Sequence, residues 1–235
     1  MTGSVQLRAL EVLNRPSVAD AVFDALHQQI LSLDLPPGTK ISEVDVSKAM
    51  GVSRQPVRDA FYRLSKLGFL TIRPQRATVV SVISESAVLQ AQFIRTAIEA
   101  ETVRIACLKL TPTDHAALDA ILEAQRQAIL DKRPLDFQAL DDQFHREICE
   151  RAGHGHAWEI IRENKAHMDR VRYLSLAFAS NEAFEDHLRV MEAIRARDVG
   201  TAVPNMREHL ARIRKQIIRI RAEHMQFFAQ EPVED

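Results

Sequence analysis

The sequence predicts a mainly α-helical protein, in which an N-terminal winged helix-turn-helix of three helices and a small β-hairpin precedes an all-α antiparallel helical bundle. Three observations predict this fold. Apolar residues recur three and four positions apart in one helix-length segment after another. The stretch FLTIRPQRATVVSV alternates apolar and polar residues on both sides of a turn, as a hairpin does. Beyond residue 84, only short breaks separate the helical segments.

Capping and stop signals delimit the three N-terminal helices. Ser17 begins the first helix, and LDLPPGTK ends it with two prolines and a glycine. The second helix begins at Ser42 or Ile41 and ends at Gly51. Ser53 caps the third helix, which the next glycine ends.

The bundle is predicted to begin near residue 85. Its helices are separated by the breaks LTPTD, DKRPLD, AGHGH, FASNE and ARDVG. The predicted helical spans are 85–109, 113–131, 135–152, 155–178, 182–197 and 199–229.

The composition is that of a globular protein, with 46% hydrophobic and 27% charged residues in a chain of 235. No apolar run approaches the roughly 20 residues that cross a bilayer, and the N-terminus lacks the pattern of a signal peptide. Two cysteines, Cys107 and Cys149, give no disulfide framework. We therefore expect a cytoplasmic protein with no membrane partner.

Charge is distributed unevenly along the chain, although the net charge is only −1. Residues 39–83 carry 8 Lys and Arg against 3 Asp and Glu, whereas residues 84–235 carry 21 against 25. A compact basic segment on a mildly acidic body favours nucleic-acid binding by the basic part. We expect one domain over residues 1–83 and a second over residues 84–235.

The third helix has the features of a helix that reads the DNA major groove. In KAMGVSRQPVRDAFYRL, a glycine makes the turn and Pro56 lies in the first helical turn, where its missing N–H costs nothing. Arg54, Gln55 and Arg58 project away from the apolar stripe, and such side chains meet base edges and phosphates. The hairpin places Arg76 beside this helix.

The segment LPPGTKISEVDVSKAMGVSRQPVRDAFYRLSKLGFLTIRP resembles the winged-helix DNA-binding domain of the GntR superfamily of bacterial transcription regulators. The resemblance runs from Val18 to Val82 and implies binding to double-stranded DNA. It implies that the hairpin tip near Arg76 enters the minor groove. The residues that it places on DNA through the third helix are Ser53, Arg54, Gln55 and Arg58.

Two positions depart from the pattern of the superfamily. Many members have a basic residue after the Ser-Glu pair, where this chain has Val44. Members commonly have glycine at the hairpin tip, where this chain has Ala77. Because a hairpin tip often requires a positive φ, which alanine tolerates poorly, we expect a differently shaped tip.

A second group of residues points to a metal. Asp141 and His145 are four positions apart, so they share one flank of a helix. His187 and His209 each border an apolar stripe that faces the bundle interior. A lone histidine of this kind is usually a hydrogen-bonded core residue, but imidazoles with one carboxylate suit Zn²⁺, Ni²⁺, Fe²⁺ or Mn²⁺. The four residues together predict a divalent metal site, with the structural role as the alternative.

The stretches IRTAIEAETVRIA, LDDQFHREICERAGH and DHLRVMEAIRARD resemble the FCD effector domain of FadR-type members of the same superfamily. The resemblance implies a metal held by an aspartate, a histidine four residues later and two further histidines. It also implies a small organic acid or sugar acid as effector, bound beside the metal. Arg95 and Arg172 are candidates to bind its carboxylate, with a structural ion pair as the alternative for both.

These features favour a ligand-responsive transcription regulator, in particular a repressor, that binds a palindromic operator as a homodimer, because one reading helix covers only a half-site. The alternatives are a metal sensor, with the ion itself as effector, and a metal-dependent hydrolase. Neither a His-Glu-x-x-His nor a Gly-x-Ser-x-Gly motif supports the hydrolase. We therefore expect a protein that is not an enzyme.

Overall fold

The structure is a computed structural model and describes residues 17–73 and 77–229. Within these ranges the chain forms ten α-helices, three short strands and one turn of 3-10 helix. The elements in chain order are α1 (Val18–Leu31), β1 (Lys40–Ile41), α2 (Glu43–Met50), α3 (Arg54–Lys66), β2 (Leu70–Thr71), β3 (Thr78–Val80), α4 (Glu85–Lys109), α5 (Pro112–Leu130), α6 (Pro134–Arg151), α7 (Gly155–Asn164), α8 (Ala166–Arg195), α9 (Val199–Ala211), α10 (Ile213–Glu223) and η1 (Met225–Phe227).

The N-terminal part is the predicted winged helix, and its three helices lie where the capping signals place them. Ser17 forms a capping box with Asp20, and Gly51 ends α2 with a φ of 65°. The helices pack on the strands around one apolar core. Its most deeply buried members are Leu26, Ile30, Val57, Ala60, Phe61, Leu64 and Val80.

The predicted hairpin is present, and a third strand joins it. β2 and β3 pair antiparallel, with Thr71 opposite Val79, and β1 pairs with the other edge of β3, with Lys40 also opposite Val79. The strand β1 has only two residues, which is too short to show an alternating pattern. The sequence therefore predicts the hairpin but not the three-stranded sheet.

The C-terminal part is an all-α bundle, and the fold class predicted from the sequence is confirmed. Its main core lies between α4, α5, α6, α8 and α9. Residues that are 1% exposed or less fill this core. They include Val103, Leu110, Leu118, Phe144, Ile148, Val190 and Ile194.

One predicted helix break is wrong. FASNE was expected to separate two helices, but α8 runs for 30 residues through it. Ser180 donates its hydroxyl to the Leu176 carbonyl, which satisfies the side chain within the helix. Phe178 and Phe184 pack against the core on either side of the polar residues. Apolar packing therefore outweighs the local preference of Ser and Asn for turns.

Two breaks that the sequence does not signal occur instead. The helix predicted over 155–178 is divided at Lys165, whose ammonium is buried between Asp142 and Asp169 at 2.6 and 2.7 Å. The helix predicted over 199–229 is divided at Arg212, which contacts Asp186. Charged residues mark both breaks, and each makes an ion pair with a residue of another helix in addition to one with a residue four positions away.

The segment between the two parts is tied to the end of the described chain. Ile83 pairs with Phe228 as an isolated parallel bridge, with its N–H bonded to the Phe227 carbonyl at 2.8 Å and its carbonyl to the Ala229 N–H at 2.8 Å. Ile83 is fully buried among residues of α4, α8 and α10. Across residues 17–73 and 77–229, none of the helices has the length and apolar character needed to cross a membrane.

Candidate DNA-reading helix and buried metal centre

The first turn of α3 presents polar side chains to solvent. Ser53 occupies the N-cap position with an extended backbone, yet its hydroxyl makes no capping hydrogen bond. The expected side-chain cap is therefore absent at this helix, and the hydroxyl is not bound to the first turn. Arg54 and Arg58 are more than half exposed. The predicted reading surface is thus accessible along the whole first turn of the helix.

Both arginines share one carboxylate from the preceding helix. Glu43 accepts from Arg58 Nη2 at 3.1 Å and lies 3.8 Å from Arg54 Nη2. Gln55 donates to Asp59 at 2.9 Å, one turn further along α3. These contacts orient three candidate DNA-binding side chains before DNA arrives. Glu43 was not predicted as part of this surface, although it belongs to the Ser-Glu pair of the motif.

The hairpin can be compared with its predicted role only in part. Arg76 lies outside the described residues. Ala77 lies at the described edge of the tip, directly after residues outside the described part of the chain, so the expected difference in tip shape stays a prediction. Val44, where a basic residue was expected, is 51% exposed and adds no charge to the surface.

The four predicted metal ligands come together inside the bundle. Asp141 and His145 lie on α6, His187 lies on α8, and His209 lies on α9. The Nε2 atom of His209 is 3.2 Å from that of His145 and 3.3 Å from that of His187. The carboxylate oxygens of Asp141 lie 3.6 Å from His187 Nε2 and 3.8 Å from His145 Nε2. One candidate ligand atom from each residue thus lies within 4.8 Å of the other three.

This geometry fits a metal ion. Two nitrogens each 2.0–2.1 Å from a tetrahedral Zn²⁺ are about 3.3–3.4 Å apart, close to the spacings observed. Three imidazole Nε2 atoms directed at one point have few favourable arrangements without a cation between them. The donor set of three imidazoles and one carboxylate suits Zn²⁺, Ni²⁺, Fe²⁺ or Mn²⁺.

Two family models match the chain, in the order in which the two parts occur. Residues 18–80 match the model described as bacterial regulatory proteins of the gntR family, and residues 90–212 match the FCD domain. The chain belongs to the GntR family and carries an FCD domain. The resemblance stated from the sequence motifs is therefore confirmed.

Individual relatives agree with the family models. The chain is 36% identical to the HTH-type transcriptional repressor RspR of Escherichia coli K12, over 98% of this chain and 100% of that protein. The solved structure of E. coli McbR/YncC matches with a TM-score of 0.70 and 25% identity, over 89% of this chain and 99% of that one. A regulator structure from Rhodococcus sp. RHA1 matches with a TM-score of 0.72 at 19% identity, over 85% and 97%, which shows the fold alone.

These relatives are transcription regulators. This GntR-family chain is accordingly a DNA-binding transcription regulator and not an enzyme, so the hydrolase alternative is excluded. The thiol nearest the cluster agrees with this conclusion. Cys149 is fully buried, and burial raises its pKa to about 12, which keeps it protonated and unreactive at neutral pH.

Each histidine of the FCD cluster has a polar partner at its other ring nitrogen. His187 Nδ1 is 2.9 Å from Gln125 Oε1, His145 Nδ1 is 2.5 Å from Glu99 Oε2, and His209 Nδ1 is 3.4 Å from Asp186 Oδ2. The hydrogen bond to Gln125 fixes the ring orientation and the tautomer of His187 and leaves its Nε2 free to coordinate, whereas the carboxylates beside His145 Nδ1 and His209 Nδ1 lie close without hydrogen-bond geometry. The sequence analysis missed all three partners. Of these, Glu99 and Asp186 carried a signal, since they lie in the FCD-like stretches IRTAIEAETVRIA and DHLRVMEAIRARD.

The partners are themselves held in place. Gln125 donates its amide to the Leu140 carbonyl at 3.0 Å, which sets its carbonyl oxygen toward His187. Arg95 Nε donates to Glu99 at 2.6 Å. Arg212 contacts Asp186, which is 1% exposed.

The protonation of His187, His209 and Asp141 favours metal binding. Burial lowers the pKa of His187 well below its ordinary value, and burial also lowers the pKa of His209. Burial opposes ionisation of Asp141, but Arg172 and the neighbouring histidines hold its pKa well below the ordinary range. Neutral imidazoles and an ionised carboxylate are the forms that bind metal.

The two candidate effector-binding arginines lie beside the cluster, and both make ion pairs. Arg172 contacts Asp141 and bonds Asp142 at 2.7 Å, and Arg95 pairs with Glu99. The structural ion pair that the sequence left open is thus present at both positions. Both arginines nevertheless line one small cavity of about 50 Å³ next to the cluster. Its other polar lining residues are Asp141, Ser175, Ser180, His209, Arg212 and Gln216.

Proposed function

We propose that this protein is a repressor that binds a palindromic operator as a homodimer, and that a divalent metal with a small carboxylate in the FCD domain modulates its DNA affinity. The observation that carries the proposal is the convergence of three imidazole Nε2 atoms and one carboxylate beside a cavity lined by three arginines. The RspR relative is named a repressor, which supports repression rather than activation as the proposed mode of regulation.

DNA reading is assigned to residues 1–83, and effector binding and dimerisation to residues 84–235. Ser53, Arg54, Gln55 and Arg58 are the proposed contacts of α3 with DNA. Arg76 is proposed to contact the minor groove. Glu43 holds two of these arginines in the free protein, and the DNA phosphates would replace it as their partner.

The metal would be held by Asp141, His145, His187 and His209. When bound, it supplies a fixed positive charge with open coordination positions for water or an oxygen ligand. The chain itself supplies ligands whose protonation favours metal binding at His187, His209 and Asp141, and a polar group lies beside Nδ1 of each ring. Together with the Nε2 spacing, this arrangement supports a metal over a structural hydrogen-bond network.

Charge balance favours an anionic effector. Four carboxylates of the connected network, Glu99, Asp141, Asp142 and Asp169, face three cations, Arg95, Arg172 and Lys165, and all of these side chains except that of the partly exposed Asp142 are largely buried. Asp186, which contacts His209, is matched by Arg212. With neutral imidazoles this network carries one net negative charge, and a divalent metal changes it to one net positive charge. A single carboxylate restores neutrality, and buried charge is costly unless compensated.

The shape of the cavity favours a small effector. Its volume of about 50 Å³ holds little more than a few atoms of a ligand in the described conformation. Ser175 and Gln216, which bond to each other at 3.3 Å, line one wall and can exchange that bond for bonds to a hydroxyl. A short hydroxy acid or a sugar acid matches these groups. Its carboxylate would compete with Asp141 for Arg172.

A face between α4 and α10 is the proposed dimer contact. Phe93 and Ile218 are 72% and 69% exposed. They flank the pair Gln92 and Arg214, which joins the two helices at 3.1 Å. Phe93→Asp should yield monomers in light scattering, whereas Leu130→Asp, at another exposed apolar position, should not. Dimers that persist in the Phe93 variant would place the contact elsewhere.

The main experiment combines metal analysis with DNA binding. Metal content of the purified protein is measured by mass spectrometry, and DNA duplexes are selected from a random pool by the wild-type chain. DNA affinity is then measured with chelator, with Zn²⁺ or Mn²⁺, and with metal plus a panel of small hydroxy acids and sugar acids. A response that requires both metal and acid supports the proposal. A full response to metal alone identifies a metal sensor, and a chain that binds none of the four metals contradicts the proposed site.

A further inference from the structure

The first turns of α8 contact both functional parts of the molecule. Asp169 and Arg172 face the buried network around the metal ligands. Ala166 instead belongs to the apolar core of the winged helix. Arg170 is two positions from Arg172, and residues at that spacing point to opposite sides of a helix. One rigid element therefore joins the proposed effector site to the DNA-binding part.

Arg170 is the most unusual residue on this face. Its side chain is fully buried, yet no carboxylate among residues 17–73 and 77–229 lies within ion-pair distance of its guanidinium. Burial lowers its pKa to about 10, so it remains charged at neutral pH. A buried cation without a carboxylate partner is costly, and the structure must satisfy it by other means.

Its partners lie on both sides of the junction. Arg170 Nη1 donates to the carbonyl of Ser81, at the end of the wing sheet, and Nη2 bonds His167 Nδ1 at 2.8 Å. Its guanidinium lies 5.9 Å from the ring centre of Phe69, which is in the winged-helix core. The charge is therefore satisfied by a backbone carbonyl, an imidazole and an aromatic ring.

Ser81 and Ser84 lie on the other side of these contacts, between the winged helix and α4. The Ser81 N–H donates to the Phe69 carbonyl at 3.0 Å, so Ser81 remains part of the winged helix. The Ser84 N–H donates to His167 Nδ1 at 3.2 Å, immediately before α4. Between them, both backbone groups of Ile83 are bonded to the C-terminal segment. Residues 81–84, which we term the junction segment, are thus held by the effector part rather than acting as a free tether.

We propose that Arg170, supported by His167, is the positioning residue that holds the junction segment on α8 and transmits a change at the effector site to the DNA-reading helix. The transmission step rests on the proposed function, whereas the holding step does not. A shift of α8 that follows rearrangement of Arg172 would move the Arg170 donor relative to Ser81. Because the sheet and α3 share one core, the reading helix would move with it.

The test compares two arginine substitutions on the same helix. Arg170→Met keeps an unbranched apolar stem, although a shorter one, and removes the donors. Arg195→Met is the matched control, because Arg195 is half exposed and pairs with Asp119 inside the bundle at 2.7 Å. Hydrogen exchange of the Ser81 and Ser84 amides is measured without metal. The Arg170 variant should exchange at least about ten-fold faster than wild type, and the control should not.

The second readout is the response of DNA binding to Zn²⁺ in the presence of the panel of small hydroxy acids and sugar acids, with DNA selected by the wild-type chain. Zinc affinity of the Arg170 variant should stay within about two-fold of wild type, because Arg170 touches none of the ligands. The ratio of DNA affinities with and without zinc should fall towards one, from the roughly 5- to 150-fold typical of allosteric coupling. This combination separates a transmitting residue from a merely structural one.

Unchanged exchange in a folded Arg170→Met variant would overturn the holding step, and an unchanged zinc response would overturn transmission. If that variant does not fold, His167→Phe removes the acceptor shared by Arg170 and Ser84 and is measured in the same way, with the same two results counting against the inference. A wild-type chain that binds zinc without any change in DNA affinity, even with the panel of acids present, contradicts the proposed function, while the exchange data still decide whether Arg170 holds the junction segment.

Discussion

The tip of α3 and the buried cluster of the bundle handle charge in opposite ways. At the tip, Arg54 and Arg58 are exposed and share one carboxylate, so water screens their interaction. In the cluster, Asp141, His145 and His187 are buried, and each lies against further polar groups. The tip can exchange partners at little cost. Loss of one member of the cluster would leave the remaining buried polar groups without a partner, which is costly in free energy.

The difference fits the work that we propose for each region. A DNA-reading surface must release its resting partners when phosphates and bases arrive, which favours exposed and weakly held side chains. A metal centre must present its ligands in one arrangement, which favours burial and fixed tautomers. Substitutions should therefore have larger and more local effects in the cluster than at the tip.

The largest effect is expected for Asp141→Asn. The substitution keeps the shape of the side chain but removes the anionic ligand, so metal affinity should fall by more than about 100-fold, beyond the range seen for outer-shell partners. Asp142→Asn is the matched control, because Asp142 also bonds Arg172 but contacts none of the histidines. Isothermal titration with Zn²⁺ measures both variants. Equal losses would mean that Asp141 acts through Arg172 and not as a ligand.

Arg54→Ala should weaken binding to the selected DNA by about 1–3 kcal/mol, as expected for a bidentate base contact. Arg63→Ala is the control on the same helix, since Arg63 pairs with Asp20 away from the tip at 2.7 Å. Fluorescence anisotropy at fixed salt gives both affinities. If the two variants bind alike, α3 does not read DNA through its first turn.

Gln125→Leu tests whether the polar partners matter. The side chain keeps its approximate volume but loses the acceptor for His187 Nδ1, so metal affinity should fall about 10- to 100-fold. Gln127→Leu, whose side chain bonds an exposed glutamate on the same helix, serves as control. A Gln125 variant with wild-type zinc affinity would show that His187 needs no fixed tautomer.

The smallest effect concerns the pH dependence of stability at the junction. Burial and the nearby Arg170 lower the pKa of His167 to about 4, below the ordinary value near 6.5. The unfolded chain binds this proton more tightly, so the contribution is complete above pH 6.5 and is lost as the pH falls towards 4. The slope is at most about 1.4 kcal/mol per pH unit.

His167→Asn keeps an acceptor near the Nδ1 position and removes the titration. Denaturant unfolding between pH 7 and 4 should therefore show a shallower decline for the variant than for wild type. Identical pH profiles would mean that His167 protonates at its ordinary pKa. Because the other histidines titrate in both proteins, the difference between the two pH profiles reports on His167 alone.

Local sequence signals were reliable wherever the structure is decided within a few residues. The caps at Ser17 and Gly51 and the hairpin were all predicted from short motifs. The ligand set at Asp141 and His145 was predicted because a spacing of four is itself a helical geometry. The signals failed at FASNE and at Lys165, where packing and ion pairs from other helices decide the outcome.

The sequence by itself determined the order of the two parts, the family, the candidate reading helix and the identity of the four clustered residues. Each of these can be recognised from short contiguous motifs. Only the tertiary structure decided that Glu99 and Gln125 support two of those histidines, that Arg172 is held by three carboxylates, and that Arg170 is buried at the junction. The physical reason is that such contacts join residues 30 to 90 positions apart. Their energies depend on burial and distance, which no local pattern encodes.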